Sequence, residues 1–536
     1  MLNTLAAGAD SRPGDHQLTV PKGRIMSGRT LRLMGLGMVT TAGAGFLSLA
    51  AMLNSGSAHA DDIGLVIGGS GVPIPGSDYV ESAALHYLFP TYGNGIDFYQ
   101  ATPENPFGNG LFTPEGLYPL TGVHTLPFNY PSGADGFPDQ STSVGQGDTI
   151  LANTIESDIA NGNTDTVFGY SQSSVISGIV MQQLTDAGIP KNDVNFLLVA
   201  DETAPNGGLL SRFDGFTPSS GPAVSDPLNL PSLGISFDGA TPSSDYATQI
   251  YTIEYDGFAD FPKYPINFLS DLNAFLGIES LHGTYLNGGD GTGGLGSGPS
   301  LGDINNATPL PVSGADTATN YYMITTLDGT DTTAGNEITA PLVALLPKPL
   351  QELLGPDLTY LINLGYGDGS QGWADGPADV NTPFGLFPDV SMSDVFNQLS
   401  SLTEQGIQNL STDTDPYTSN VAAAGQSMAE VMAALQTDLS DPSATLTDFV
   451  NAITTASSAA YSALLPTADI INALVTSVPA YDVSLLSENL ANGDFVDAFG
   501  LPVAADTALV TLAGGFELEV IQGAVSQIQD AFSGLF

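Results

Sequence analysis

The chain has 536 residues, with 57 acidic against nine basic side chains, a formal net charge of −48, and no cysteine. A polyanion of this kind repels nucleic acid and anionic lipid headgroups, and the missing thiols exclude disulfides, thiolate metal sites and cysteine nucleophiles. Charged residues make up only 12% and apolar residues 42%, which predicts a large folded core and not an acidic disordered tail.

Residues 1–60 read as a secretion signal. Arg29 and Arg32 precede an apolar, small-residue run over 33–53, and Ala58-His59-Ala60 fits the A-x-A rule, predicting cleavage after Ala60 and a mature start at Asp61. The run is also long enough for an uncleaved membrane anchor. Residues 1–25 make a long lead, and Met26, followed by Ser-Gly-Arg-Thr-Leu-Arg, is the more ordinary start. Beyond position 60 the only basic residues are Lys191, Arg212, Lys263 and Lys348.

Residues 61–300 alternate between strand-like and helix-like segments. A buried strand is expected at 63–67, a helix at 79–87, a helix at 143–159, a strand ending at Phe168, and a helix to Leu184. Then come a strand at 194–200, an alternating β-branched strand at 249–255, and a helix at 266–275. This alternation predicts an α/β fold with a mainly parallel sheet. His86 falls on the early helix and His124 in a strand, and both read as structural. The Gly/Pro/Ser-rich excursion over 201–245 is long for a compact domain and is a candidate lid or substrate-shaping loop. The stretch 288–298 is glycine-rich.

Gly169-Tyr170-Ser171-Gln172-Ser173 lies between an apolar run and a helix, the layout of a nucleophile elbow, although its last position is Ser173 where Gly is usual. A serine nucleophile needs a base, and His282 is the only histidine after Ser171. The third member belongs between them at a strand end, where Asp256 and Asp260 both stand. Asp260 is preferred, because Gly-x-x-Asp-x-Pro after a strand is a common hydrolase arrangement; Asp256 reads instead as a turn residue before Gly257. Oxyanion donors are expected from the Gln172 N–H and from the Gly68-Gly69-Ser70-Gly71 turn, where Ser70 adds a hydroxyl. That turn lacks the spacing of a nucleotide-binding loop. Three histidines beyond position 60 make a histidine metal site unexpected, and no cofactor is expected.

Residues 301–390 are expected to flank the catalytic domain and pack on it; they carry Tyr321-Tyr322-Met323-Ile324-Thr325, a Pro-punctuated helical stretch to Leu364 and the only tryptophan, Trp373. Residues 391–536 are Ala/Ser/Thr/Leu-rich and expected to be mostly helical, with helical spacing over 421–435 and 446–453. No chemistry motif occurs there, and an ordinary helical core is favoured over a lipid- or partner-binding surface.

Taken together, several stretches resemble the PE-PPE domain proteins of mycobacteria. They are 66–73, 113–119, 143–147, the Gly169–Ser173 elbow, 255–262 and 282–285, with 363–368 and 382–388 similar to the C-terminal flank. The resemblance spans roughly 62–390. It implies a serine α/β-hydrolase fold related to cutinase-like esterases, and the shared Gly-Tyr-Ser-Gln elbow supports Gln172 and Ser70 as oxyanion donors. Cutinases usually carry disulfides, which this chain lacks. No N-terminal PE or PPE helical module is read here; the signal peptide stands in its place.

The expectation is therefore a secreted or envelope-associated serine esterase acting on acyl ester or lipid substrates through Ser171, His282 and Asp260. The nearest rival uses the same residues to transfer acyl chains to envelope glycolipid acceptors such as trehalose lipids. A rival of another class is a non-catalytic surface protein on a decayed hydrolase scaffold; a metal-dependent hydrolase is more distant.

Overall fold

The structure is a computed structural model that describes residues 61–72, 74–111, 142–216, 229–230, 235–237, 239–286, 298–314, 317–327, 336–412 and 470–533. The expected signal (1–60), the segment 113–119 and the strand around His124 lie outside the described residues. So do much of the 201–245 excursion, nearly all of the 288–298 stretch, and the helical runs at 421–435 and 446–453.

The main elements are, in chain order, β1 (Asp62–Val66), α1 (Ser77–Ala83), β2 (Ile96–Phe98), α2 (Ser143–Ala160), β3 (Thr164–Tyr170), α3 (Gln172–Ala187), β4 (Val194–Val199) and β5 (Ala247–Ile253). They continue with α4 (Phe268–Ser280), β6 (Thr308–Pro309), β7 (Thr319–Ile324), α5 (Lys348–Asn363), α6 (Met392–Thr412), α7 (Ser477–Asn492) and α8 (Phe495–Ser533). Seven strands form one sheet in the order β2-β1-β3-β4-β5-β7-β6. Every pairing is parallel except β6 with β7. This is an α/β fold.

Parallel strands are covered on both faces, so their sequences run apolar without a polar alternate. β4, Val-Asn-Phe-Leu-Leu-Val, shows this from Phe196 onward, and its side chains part to two cores by the two-residue period of a strand. Phe196 and Leu198 join Leu65, Val167, Ile250 and Tyr321 on one face, beneath Leu151 and Ile155 of α2 and Ile176, Val180 and Leu184 of α3. Leu197 and Val199 join Val66, Phe168 and Ile253 on the other, beneath Tyr79, Val80 and Ala83 of α1.

The strand order sets the position of the site. β1 has β2 on one side and β3 on the other, and from β3 the chain walks outward through β4 and β5 to β7. The reversal at β1/β3 opens a crevice beyond the carboxyl ends of these strands, where α/β proteins bind ligands. The turn after β1 and the turn after β3 meet there.

Residues 301–390 are part of this architecture, because β7 is hydrogen-bonded to β5 within the central sheet. The described part of 391–536 is helical, as its composition predicts. α6 packs on α5, α7 on α8, and α8 on α4. Ala505, Ala508, Leu509 and Leu512 of α8 enter the first core, while Phe495, Val496 and Phe499 near its start are exposed. By length and composition alone, Ile470–Asn492 and Phe495–Gly514 are long and apolar enough to cross a bilayer.

Candidate active site

Ser171 directly follows β3 and precedes the first residue of α3. Its φ of 55° and ψ of −123° lie in a region costly for a side-chain-bearing residue. The local sequence allows the turn. A β-carbon on Gly169 would sit 2.8 Å from the Ser173 carbonyl oxygen, so only glycine fits there. Ser173, the departure from the usual elbow pattern, is fully buried, and its hydroxyl ties the turn together. It accepts from the Tyr170 N–H at 2.7 Å and lies 3.1 Å from the Ile67 carbonyl oxygen at the end of β1. The Ser174 hydroxyl donates to the Val199 carbonyl of β4 at 3.0 Å. The elbow is thus bound to both neighbouring strands.

His282 opens a short 3-10 turn just after α4. Its Nε2 lies 2.9 Å from Ser171 Oγ. Tyr170 and Phe258 flank the ring, the latter edge-on at 4.7 Å between centroids, and the Tyr170 hydroxyl donates to the His282 carbonyl oxygen. The imidazole is thus fixed by aromatic packing and by the backbone behind it.

The carboxylate on His282 is Asp256, which corrects the preference for Asp260. Asp256 Oδ1 and Oδ2 lie 2.9 and 3.0 Å from His282 Nδ1. The same carboxylate accepts from the Tyr285 hydroxyl at 2.7 Å and the Phe258 N–H at 3.1 Å. The reason is where the strand stops. The expected strand over 249–255 ends at Ile253, and Tyr255 turns the chain at a φ of 69°, which puts Asp256 at the crevice. The next residues coil tightly, with the Asp260 N–H donating to the Asp256 carbonyl at 2.6 Å. Asp260 is thereby folded back, and its Oδ2 accepts from the Tyr255 N–H at 2.9 Å. Its Oδ1 is buried without a hydrogen-bond partner, and burial pushes its carboxyl well above the usual range. Asp256 also makes the local turn read for it in the sequence, through its bond to the Phe258 N–H.

The turn after β1 lies against the elbow. A β-carbon on Gly69 would stand 3.4 Å from Ser171 Cβ, so the backbone of the turn lies against the nucleophile. The Ser70 hydroxyl donates to Gln172 Oε1 at 3.3 Å, so it braces the Gln172 side chain. Gln172 itself is fully buried at the start of α3, where the first N–H groups have no partner within the helix.

One residue at the site has no counterpart in the sequence reading. Glu202 Oε1 lies 2.9 Å from Ser171 Oγ. Ala200, with a φ of 52°, turns the chain at the end of β4 and leads Glu202 under the nucleophile. The signal lies in the sheet and not along the chain: β4 pairs with β3, so acidic residues just past β4 fall next to the elbow. Among the described residues, no group of three His, Cys, Asp or Glu side chains is arranged to hold a metal.

The PE-PPE domain family matches residues 107–367, which include Ser171, Gln172, Glu202, Asp256, Asp260 and His282. The chain is 36% identical over 498 residues to the PPE family protein PPE28 of Mycobacterium tuberculosis, covering 89% of this chain and 68% of that protein. The chain belongs to the PE-PPE domain family. The chain is also similar to two proteins of the same organism, Esterase PE16, 36% identical over 349 residues, and the PE family protein PE3, 35% identical over 354. These matches span 55% of PE16 and 62% of PE3. Of these relatives PE16 is named an esterase, and this chain has an α/β fold.

Proposed function

We propose that this PE-PPE protein is a secreted or envelope-associated serine esterase with Ser171 as nucleophile, His282 as general base and Asp256 as the residue that orients it. The observation that carries the reading is the continuous chain from Ser171 Oγ to His282 Nε2 at 2.9 Å and from Nδ1 to Asp256 at 2.9 Å. In acylation Ser171 Oγ attacks the ester carbonyl carbon while its proton passes to His282 Nε2. Asp256 keeps the Nδ1 proton in place and stabilises the imidazolium. The carbonyl oxygen becomes an oxyanion that receives the Gln172 N–H and the backbone of the Gly69-Ser70 turn, each such donor contributing about 3 kcal/mol in comparable sites. His282 returns the proton to the leaving alcohol, and water then repeats the sequence on the acyl-enzyme.

The acidic surface favours neutral acyl esters and glycolipids over anionic ones. Cleavage after Ala60 and export belong to the same reading. The test is p-nitrophenyl ester hydrolysis across acyl lengths, with and without trehalose as acceptor. Hydrolysis lost in Ser171→Ala is expected. Turnover that survives this substitution would refute the reading, and acyl-trehalose formed at the expense of free acid would identify a transferase with the same triad.

A further inference from the structure

Ser171 carries one hydroxyl hydrogen and has two acceptors at equal distance. His282 Nε2 and Glu202 Oε1 each lie 2.9 Å from its Oγ. Glu202 is 6% exposed, and no lysine or arginine pairs with it among the described residues. Its backbone is fixed, since its carbonyl accepts from the Leu210 N–H at 3.0 Å. The titratable groups facing it are His282 and Asp256 across the crevice and Asp201 beside it in the chain. A buried carboxylate on the nucleophile itself is in the reaction path, and acylation as described above gives it no role.

We propose that Glu202 is a fourth working member of this site and acts in its neutral form, donating its carboxyl hydrogen to Ser171 Oγ so that the Ser171 hydrogen is left for His282 Nε2. The proposal rests on the serine-hydrolase reading. In the acylation step the Ser171 O–H bond breaks and its proton goes to Nε2. The Oγ–carbon bond forms, and the carbonyl electron pair moves to the oxyanion. The Glu202 proton stays on Glu202 and continues to bond Oγ, now an ester oxygen.

The ionised form works against the step. A carboxylate accepts more strongly than a neutral imidazole because the hydrogen bond is charge-assisted, so it takes the Ser171 hydrogen from the base. It also places a negative charge beside the developing oxyanion. Burial pushes the Glu202 carboxyl up, with His282 and the Ser171 hydrogen bond opposing, to about 7. Glu202 therefore holds its proton below this pH and loses it above. The reactive state has both Glu202 and His282 neutral, and the two groups titrate as a coupled pair. The rate must rise as the first proton leaves the pair and fall as the second leaves.

The test is the rate of fluorophosphonate labelling of Ser171 in the full chain from pH 5 to 9.5, for the parent, Glu202→Gln and Glu202→Ala, each checked for a folded thermal transition. The parent is expected to give a bell, its alkaline limb falling about tenfold per pH unit. Glu202→Gln keeps a donor toward Oγ without the charge, so the alkaline limb disappears and labelling at pH 9 exceeds the parent's. Glu202→Ala also loses that limb, at a lower plateau because the donor is gone. A parent profile with no alkaline limb, or variants that keep it, would overturn the proposal. So would variants that fold yet fail to label at any pH, since the carboxylate would then be required in its charged form. Failure of the underlying reading is separate and shows as labelling that persists in Ser171→Ala.

Discussion

Asp256→Asn is expected to lower kcat for an ester substrate by about four orders of magnitude, while Asp260→Asn leaves catalysis within a few-fold of the parent. Asp256 accepts the hydrogen bond of His282 Nδ1–H, N···O 2.9 Å, with Tyr285 and Phe258 holding the carboxylate in place. An amide there preserves the shape but presents a donor to Nδ1. The imidazole then turns over to the tautomer whose Nε2 is protonated, and it can no longer take the Ser171 proton. Asp260 bonds the Tyr255 N–H and has an orphaned buried oxygen, so its neutral isostere keeps that bond. The measurement is kcat for both purified variants, with a thermal melt of each. A large loss in Asp260→Asn and a small one in Asp256→Asn would reverse the assignment.

Ser171→Ala and His282→Ala are each expected to reduce turnover by about six orders of magnitude, and the double variant by no more than either single one. The two residues share one proton transfer across 2.9 Å, so removing either ends the same step. What remains comes from the oxyanion donors and substrate binding alone. The measurement is kcat for the three variants against the spontaneous hydrolysis rate. Losses that multiply in the double variant would mean that Ser171 and His282 act independently.

How much of this was legible in the sequence depended on whether the signal was local. The elbow was legible because a strand, a tight turn and a helix are written in consecutive residues, and His282 because it is the only histidine after Ser171. The choice between Asp256 and Asp260 turned on where β5 ends and on the φ of 69° at Tyr255, which no local residue pattern announces. Ser173 looked like a flaw in the motif, yet its hydroxyl makes bonds that a glycine cannot. Glu202 was hidden among 57 acidic residues. Its relation to Ser171 depends on the lateral pairing of β3 with β4, which no spacing along the chain records. The same holds for β7, whose place beside β5 ties 301–390 to the sheet.

The most direct test of the account is to treat the full chain with a fluorophosphonate probe and locate the adduct by peptide mass spectrometry. A single adduct is expected on Ser171, absent from Ser171→Ala and formed far more slowly in His282→Ala. No adduct on the folded chain, or one that persists in Ser171→Ala, would contradict it.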